Sequence, residues 1–184
     1  MKKVYLVHGW GGSSSGGWFD WLKQQLSEKG IEVLSFDMPD TDNPKIDSWV
    51  GFLEKNININ ELDKETYFVG HSIGCQAILR FLEKLPENTQ VGGCAFAAGW
   101  FSLKGLEKGE DEIAKPWLEK KIDFDKVKTH CSRFLAVFSD NDPYVPVSDS
   151  ELFEKNLGAK TIIKKNHEHF NEVLEIPEIL EFIS

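Results

Sequence analysis

Cysteine is scarce: the 184 residues hold three, Cys75, Cys94 and Cys131. They are odd in number, widely separated and contain no C-x-x-C pair, which argues against a disulfide framework and against paired-cysteine zinc or redox sites. Free thiols, buried or half-buried, in a reducing compartment are expected. Long apolar runs are also missing. No stretch approaches the roughly 18 consecutive apolar residues of a membrane span, so no membrane partner is expected. Met1-Lys2-Lys3 leads straight into the short segment Val4–Val7 and a Gly-rich loop. A secretory signal needs a longer apolar region and a cleavage site, so a cytoplasmic address is expected. Positive charge is in deficit, with 21 Lys and Arg against 30 Asp and Glu, a formal charge of −9. No basic patch with interleaved aromatics is present, so nucleic acid is not expected as a partner. Beyond one Gly/Ser loop there is neither a repeat nor a low-complexity tract.

What the chain does have is apolar and aromatic: 41% hydrophobic residues, six Trp and thirteen Phe. That composition is incompatible with disorder. A chain of this length buries roughly 70% of its unfolded surface, enough for one core, and residues 1–184 read as a single domain. Short β-branched and aromatic runs predict strands near 3–8, 31–36, 66–70, 91–97, 133–139 and 159–164. Val4-Tyr5-Leu6-Val7 and Phe134-Leu135-Ala136-Val137-Phe138 are continuously apolar, as in strands covered on both faces of a parallel sheet. Helical spacing recurs between them, over 18–29, 46–56, 73–85, 148–157 and 172–183, with Gly30 and Pro86 as stop signals. This alternation predicts an α/β fold, a doubly wound and mostly parallel sheet of about six strands with helices on both faces. Gly99 to Ile122 breaks the rhythm. It reads as a short lid-like insertion leaving the C-terminal end of the fourth strand, where ligands bind in such sheets.

The sharpest local signal is Gly70-His71-Ser72-Ile73-Gly74, after the apolar Tyr67-Phe68-Val69 and before a helix. A strand-to-helix turn of this kind thrusts a serine hydroxyl above the sheet edge, and glycines flank it because side chains would collide there. A serine nucleophile needs a base, and the base needs an orienting acid; on this fold they follow in the order Ser, acid, His. Ser139-Asp140-Asn141-Asp142-Pro143 follows the fifth strand and Asn166-His167-Glu168-His169-Phe170 the sixth, both on the rim that carries Ser72. Asp140 and Asp142 both qualify by position; Asp142 is preferred because Pro143 and Pro146 stiffen the turn behind it. His130 starts a strand, on the opposite edge, and His8 and His71 read as structural. His167 and His169 remain as bases.

Other readings fail on spacing. Asp140 to Glu151 has the span of a calcium loop, but Val145 stands where glycine is obligatory. His167 and His169, as alternate residues, could pair on a metal, yet no third ligand is evident. The loop His8 to Gly17 lacks the last glycine of G-x-G-x-x-G (Ser14 stands there), so Asp37 as a ribose acceptor loses its context. A Walker A reading lacks the Lys. The loop fits an oxyanion loop better, with the backbone N–H groups of Trp10 and Ile73 as donors. Trp10, Trp100, Phe101 and Tyr144 are candidates for an apolar substrate pocket.

Together, the first loop, the elbow, Asp142-Pro143 and His169-Phe170 resemble the small α/β-hydrolase serine hydrolases, and within them the YdeN / retinoblastoma-binding-protein-nine family. Gly17-Trp18, Trp21, Met38-Pro39-Asp40 and Asp142-Pro143-Tyr144-Val145-Pro146 extend the resemblance over nearly the whole chain. It implies a Ser72–His169–Asp142 triad, since the family's histidine precedes Phe and its acid precedes Pro. The short chain, with only 99–122 as a cover, suits a small acyl substrate, split as an ester or a related acyl bond, and triad chemistry needs no cofactor. Glu168 departs from the Gly often found before that histidine. Glu61-Leu62-Asp63-Lys64-Glu65 lacks the cysteine of the family's retinoblastoma-binding motif, so that partner is not expected.

Overall fold

A computed structural model describes all 184 residues. Six strands, β1 (Lys3–Val7), β2 (Glu32–Phe36), β3 (Thr66–His71), β4 (Gly93–Ala97), β5 (Phe134–Ser139) and β6 (Lys160–Lys164), form one sheet in the order β2-β1-β3-β4-β5-β6. Every neighbouring pair is parallel. The middle strands are buried along their whole length, as their unbroken apolar runs require. Chain direction across the sheet reverses between β1 and β3. The loops after these two strands therefore part at the carboxyl edge and leave a crevice, the place where open α/β sheets bind ligands.

The helices are α1 (Gly17–Glu28), α2 (Ile46–Asn56), α3 (Ile73–Leu82), α4 (Glu110–Glu119), α5 (Phe124–His130), α6 (Asp149–Leu157) and α7 (Pro177–Ile183). α1 and α7 pack together on one side of the sheet, and α2, α3, α5 and α6 adjoin one another on the other. All ten residues of α3 are buried, because it lies on the central strands between α2 and α5. Local chemistry sets the helix ends. Gly158 (φ 65°) closes α6 in the left-handed region, and the Asp123 carboxylate caps α5 by accepting the Lys126 N–H at 3.0 Å. The three cysteines are buried and unpaired. No helix is long and apolar enough to cross a membrane.

All six strands fall where the sequence predicts them, and the helices differ in detail. α3 stops at Leu82 and α7 begins at Pro177, five residues later than periodicity indicated. The residues of 124–130, unassigned by pattern, form α5. His130 consequently ends a helix rather than starting a strand; its Nδ1–H donates to the Thr89 carbonyl at 2.8 Å, far from the carboxyl edge. Gly99 to Ile122 is a loop followed by α4, pinned at both ends. The buried Asp149 carboxylate accepts the Phe101 and Ser102 N–H groups at 2.6 and 2.9 Å. At the far end the buried Arg80 guanidinium donates to the Trp117 and Lys120 carbonyls at 3.0 and 2.6 Å, and Trp117 Nε1–H donates to the Pro44 carbonyl at 2.9 Å. A guanidinium against the last carbonyls of α4 satisfies groups that no helix can satisfy internally.

Candidate active site

Ser72 sits between β3 and α3 with φ 52° and ψ −123°, a backbone conformation rare for any residue with a side chain. The turn holds because its neighbours are glycines. A Cβ on Gly70 would stand 2.8 Å from the Cys75 nitrogen, and one on Gly74 would stand 2.4 Å from the Val7 carbonyl oxygen. Only glycine lets α3 approach β1 this closely.

Ser72 Oγ–H donates to His169 Nε2 at 2.9 Å, and His169 Nδ1–H donates to Asp142 Oδ2 at 2.8 Å. The other Asp142 oxygen accepts the Tyr144 and Val145 N–H groups at 2.8 and 2.9 Å. Asp142, Ser72 and His169 are all buried. Two backbone donors on one carboxylate oxygen fix the direction of the other, so the imidazole meets an oriented acceptor.

The histidine loop is unusual in its backbone. Asn166, Glu168 and Phe170 all have positive φ (57°, 47° and 61°), each costing roughly 1 kcal/mol or more. The loop after β5 restrains it. Asp140 Oδ1 accepts the Asn166 N–H at 2.8 Å, Ser139 Oγ the His167 N–H at 2.9 Å, and Asn141 Oδ1 the Glu168 N–H at 2.9 Å. Asp140, the other candidate acid, thus holds main chain rather than a histidine ring. His167 donates its Nδ1–H to the Lys165 carbonyl at 2.7 Å and does not line the cleft. No group of three or more His, Cys, Asp or Glu side chains is placed to hold a metal ion.

The Gly-rich loop after β1 lies against the elbow: a Cβ on Gly9 would be 3.1 Å from Ser72 Cβ. Trp10 N–H finds no acceptor in the protein, and Ile73, the first residue of α3, has no carbonyl within its helix for its N–H. Asp37 Oδ1 accepts the Ser14 N–H at 2.7 Å, which draws its carboxyl below the usual range and commits it to holding the loop rather than a ribose. His8 is also structural. Its Nδ1–H donates to Gly9 carbonyl at 2.7 Å and its Nε2 accepts the Met38 N–H at 3.0 Å.

Around Ser72 opens a cleft of about 350 Å³ whose walls include Trp10, Trp100, Leu103, Leu106, Tyr144 and His169. Three of the four aromatic residues expected there are present. Phe101 is not; its ring stacks on Phe153 with centroids 4.4 Å apart and meets Phe124 at 5.2 Å. Asp42 and Glu110 also line the cleft, and no Lys or Arg does. Neither acid was expected from the sequence, nor was the restraining role of Ser139 and Asn141. The signal for the latter was the unbroken polar run Ser139 to Asp142 at a strand's carboxyl end.

A strained serine elbow at the switch point of a parallel sheet, hydrogen-bonded to a histidine and an aspartate from two later loops, is the arrangement of an α/β hydrolase. The particular branch follows from comparison with known proteins. The chain belongs to the serine hydrolase family, whose sequence profile matches residues 4–175. It is 31% identical over 171 residues to YdeN of Bacillus subtilis, covering 93% of this chain and 87% of that protein. The crystal structure of the ydeN gene product superimposes with a TM-score of 0.88, over 98% of this chain and 96% of the other. The serine hydrolase RBBP9 of Rattus norvegicus is 26% identical over 184 residues, 98% of this chain and 93% of that one. Est1E from Butyrivibrio proteoclasticus, at 15% identity, shares the fold with a TM-score of 0.69, over 99% of this chain and 85% of the other. The resemblance to the YdeN / retinoblastoma-binding-protein-nine family is thereby borne out.

Proposed function

We propose that this serine hydrolase splits a small carboxylic ester, or a related acyl bond, through an acyl-enzyme on Ser72. The observation that carries the reading is the buried Ser72–His169–Asp142 chain, with links of 2.9 and 2.8 Å, at the base of an open cleft. His169 takes the Ser72 proton as the oxygen attacks the carbonyl carbon, and Asp142 stabilises the imidazolium. The Trp10 and Ile73 N–H groups receive the oxyanion. His169 returns its proton to the leaving group, then activates the water that releases the acid and regenerates Ser72. No metal or organic cofactor enters these steps. Ser72→Ala is expected to abolish both fluorophosphonate labelling and hydrolysis of short-chain aryl esters; labelling that persists in this variant overturns the assignment.

The lining favours a second reading on the same machinery, an aminoacyl amide or ester. Asp42 and Glu110 stand in the cleft without a Lys or Arg, so an ammonium group on the substrate meets favourable charge and a carboxylate meets repulsion. Thioesters share the chemistry. A panel of ester, thioester and aminoacyl-amide substrates on wild type and Ser72→Ala separates them.

A further inference from the structure

His71, immediately before the nucleophile, is buried, and its Nε2–H donates to the backbone carbonyl of His169 at 2.7 Å. The two imidazole rings lie 5.1 Å apart. On its other sides His71 meets the edge of Trp18 in α1, with centroids 6.1 Å apart, and the β1 loop, where a Cβ on Gly9 would fall 2.9 Å from His71 Nδ1. One side chain therefore bridges the nucleophile elbow, the oxyanion loop and the histidine loop.

The loop around His169 explains why such a bridge matters. Positive φ at Glu168 and Phe170 flanks the base, and the loop after β5 ties down only the N–H groups of residues 166 to 168. The peptide of His169 itself has one external hydrogen bond, the one from His71. We propose that His71 is the positioning residue for the base: through the His169 carbonyl it sets the main-chain orientation from which the imidazole reaches Ser72 and Asp142 together. This rests on the serine-hydrolase reading above. His71 does not touch the reacting atoms. The charged and titratable groups that act on it are His169, Asp142 and His8, and burial with the neighbouring His169 pushes its own imidazole down to about 3. It therefore stays a neutral donor and places no second cation beside the imidazolium that forms at His169.

The pair His71→Gln and His71→Asn tests this. Glutamine carries an amide N–H to where the ring's Nε2–H sits, whereas the asparagine amide reaches only as far as Nδ1. Rates are taken per active site, titrated with a fluorophosphonate, so that unfolded protein does not count. His71→Gln is expected to keep kcat within about threefold. His71→Asn is expected to lower it by about 10- to 100-fold with KM little changed, since a misplacement near 1 Å is enough for such a loss. In parallel, the far-downfield proton resonance of the His169–Asp142 hydrogen bond persists in the Gln variant and broadens or vanishes in the Asn variant. Equal kcat for both variants, or the resonance intact in His71→Asn, overturns the proposal. Hydrolysis surviving Ser72→Ala is a different result, which overturns the serine reading itself.

Discussion

Two carboxylates, two residues apart, hold opposite ends of the same loop. Asp142 faces the His169 ring, and Asp140 faces the Asn166 N–H. Removing charge from each therefore has different consequences. Asp142→Asn presents an amide to a ring N–H and favours the wrong tautomer, so kcat is expected to fall by about 10³- to 10⁴-fold. Asp140→Asn keeps an oxygen acceptor for Asn166 and is expected to leave kcat within a few-fold; steady-state kinetics on an aryl ester compares them. His71 supplies a second prediction. Its folded-state value of about 3 lies below the ordinary 6.5, so between these limits the unfolded chain binds more protons than the native one. Stability therefore falls as pH drops through this window, by at most about 1.4 kcal/mol per pH unit from this group. Urea denaturation at stepped pH measures it, and His71→Gln should flatten the slope. The serine was legible because its elbow demands glycines at fixed offsets. The choice between His167 and His169 was not legible from the residues alone. Alternation predicts a shared face only in extended chain, and positive φ at residues 166, 168 and 170 breaks that geometry.

At the scale of elements, the middle strands are legible because burial on both faces writes largely apolar runs. α4 and α5 were hidden for a related reason. α4 buries only Ala114 and Trp117 amid the acidic run and Pro116, and the seven residues of α5 bury only Val127 and His130, too little for a periodic stripe. The contact of α3 with β1 is close enough to exclude any side chain at Gly74. Gly74→Ala would force a Cβ within 2.4 Å of the Val7 carbonyl and 2.5 Å of the His8 carbonyl, so the two elements must separate. A loss of about 3 kcal/mol is expected by urea denaturation, together with reduced activity, because the elbow moves with the helix. α4 depends on Arg80, whose guanidinium also faces the Trp117 ring at 5.9 Å. Arg80→Met strips the last carbonyls of α4 of their donor while keeping the bulk. It is expected to cost about 2 kcal/mol and to expose residues 99–122 to limited proteolysis, with the rest of the chain resisting longer.

The molecule as a whole carries −9, and its cleft repeats that sign at Asp42 and Glu110. Under the reading proposed here, an amino-substituted aryl ester should exceed its carboxylate-substituted analogue in kcat/KM, and the ratio should shrink as salt shortens the Debye length below about 8 Å. A ratio near one at low salt removes the acidic cleft from any account of selectivity. The ladder of side chains from Ser139, Asp140 and Asn141 onto the main chain of residues 166 to 168 has a consequence of another kind. It ties the loops that carry Asp142 and His169 directly to each other, while Ser72 sits on the separate turn between β3 and α3. Exchange of either loop with a relative's would have to bring the other along.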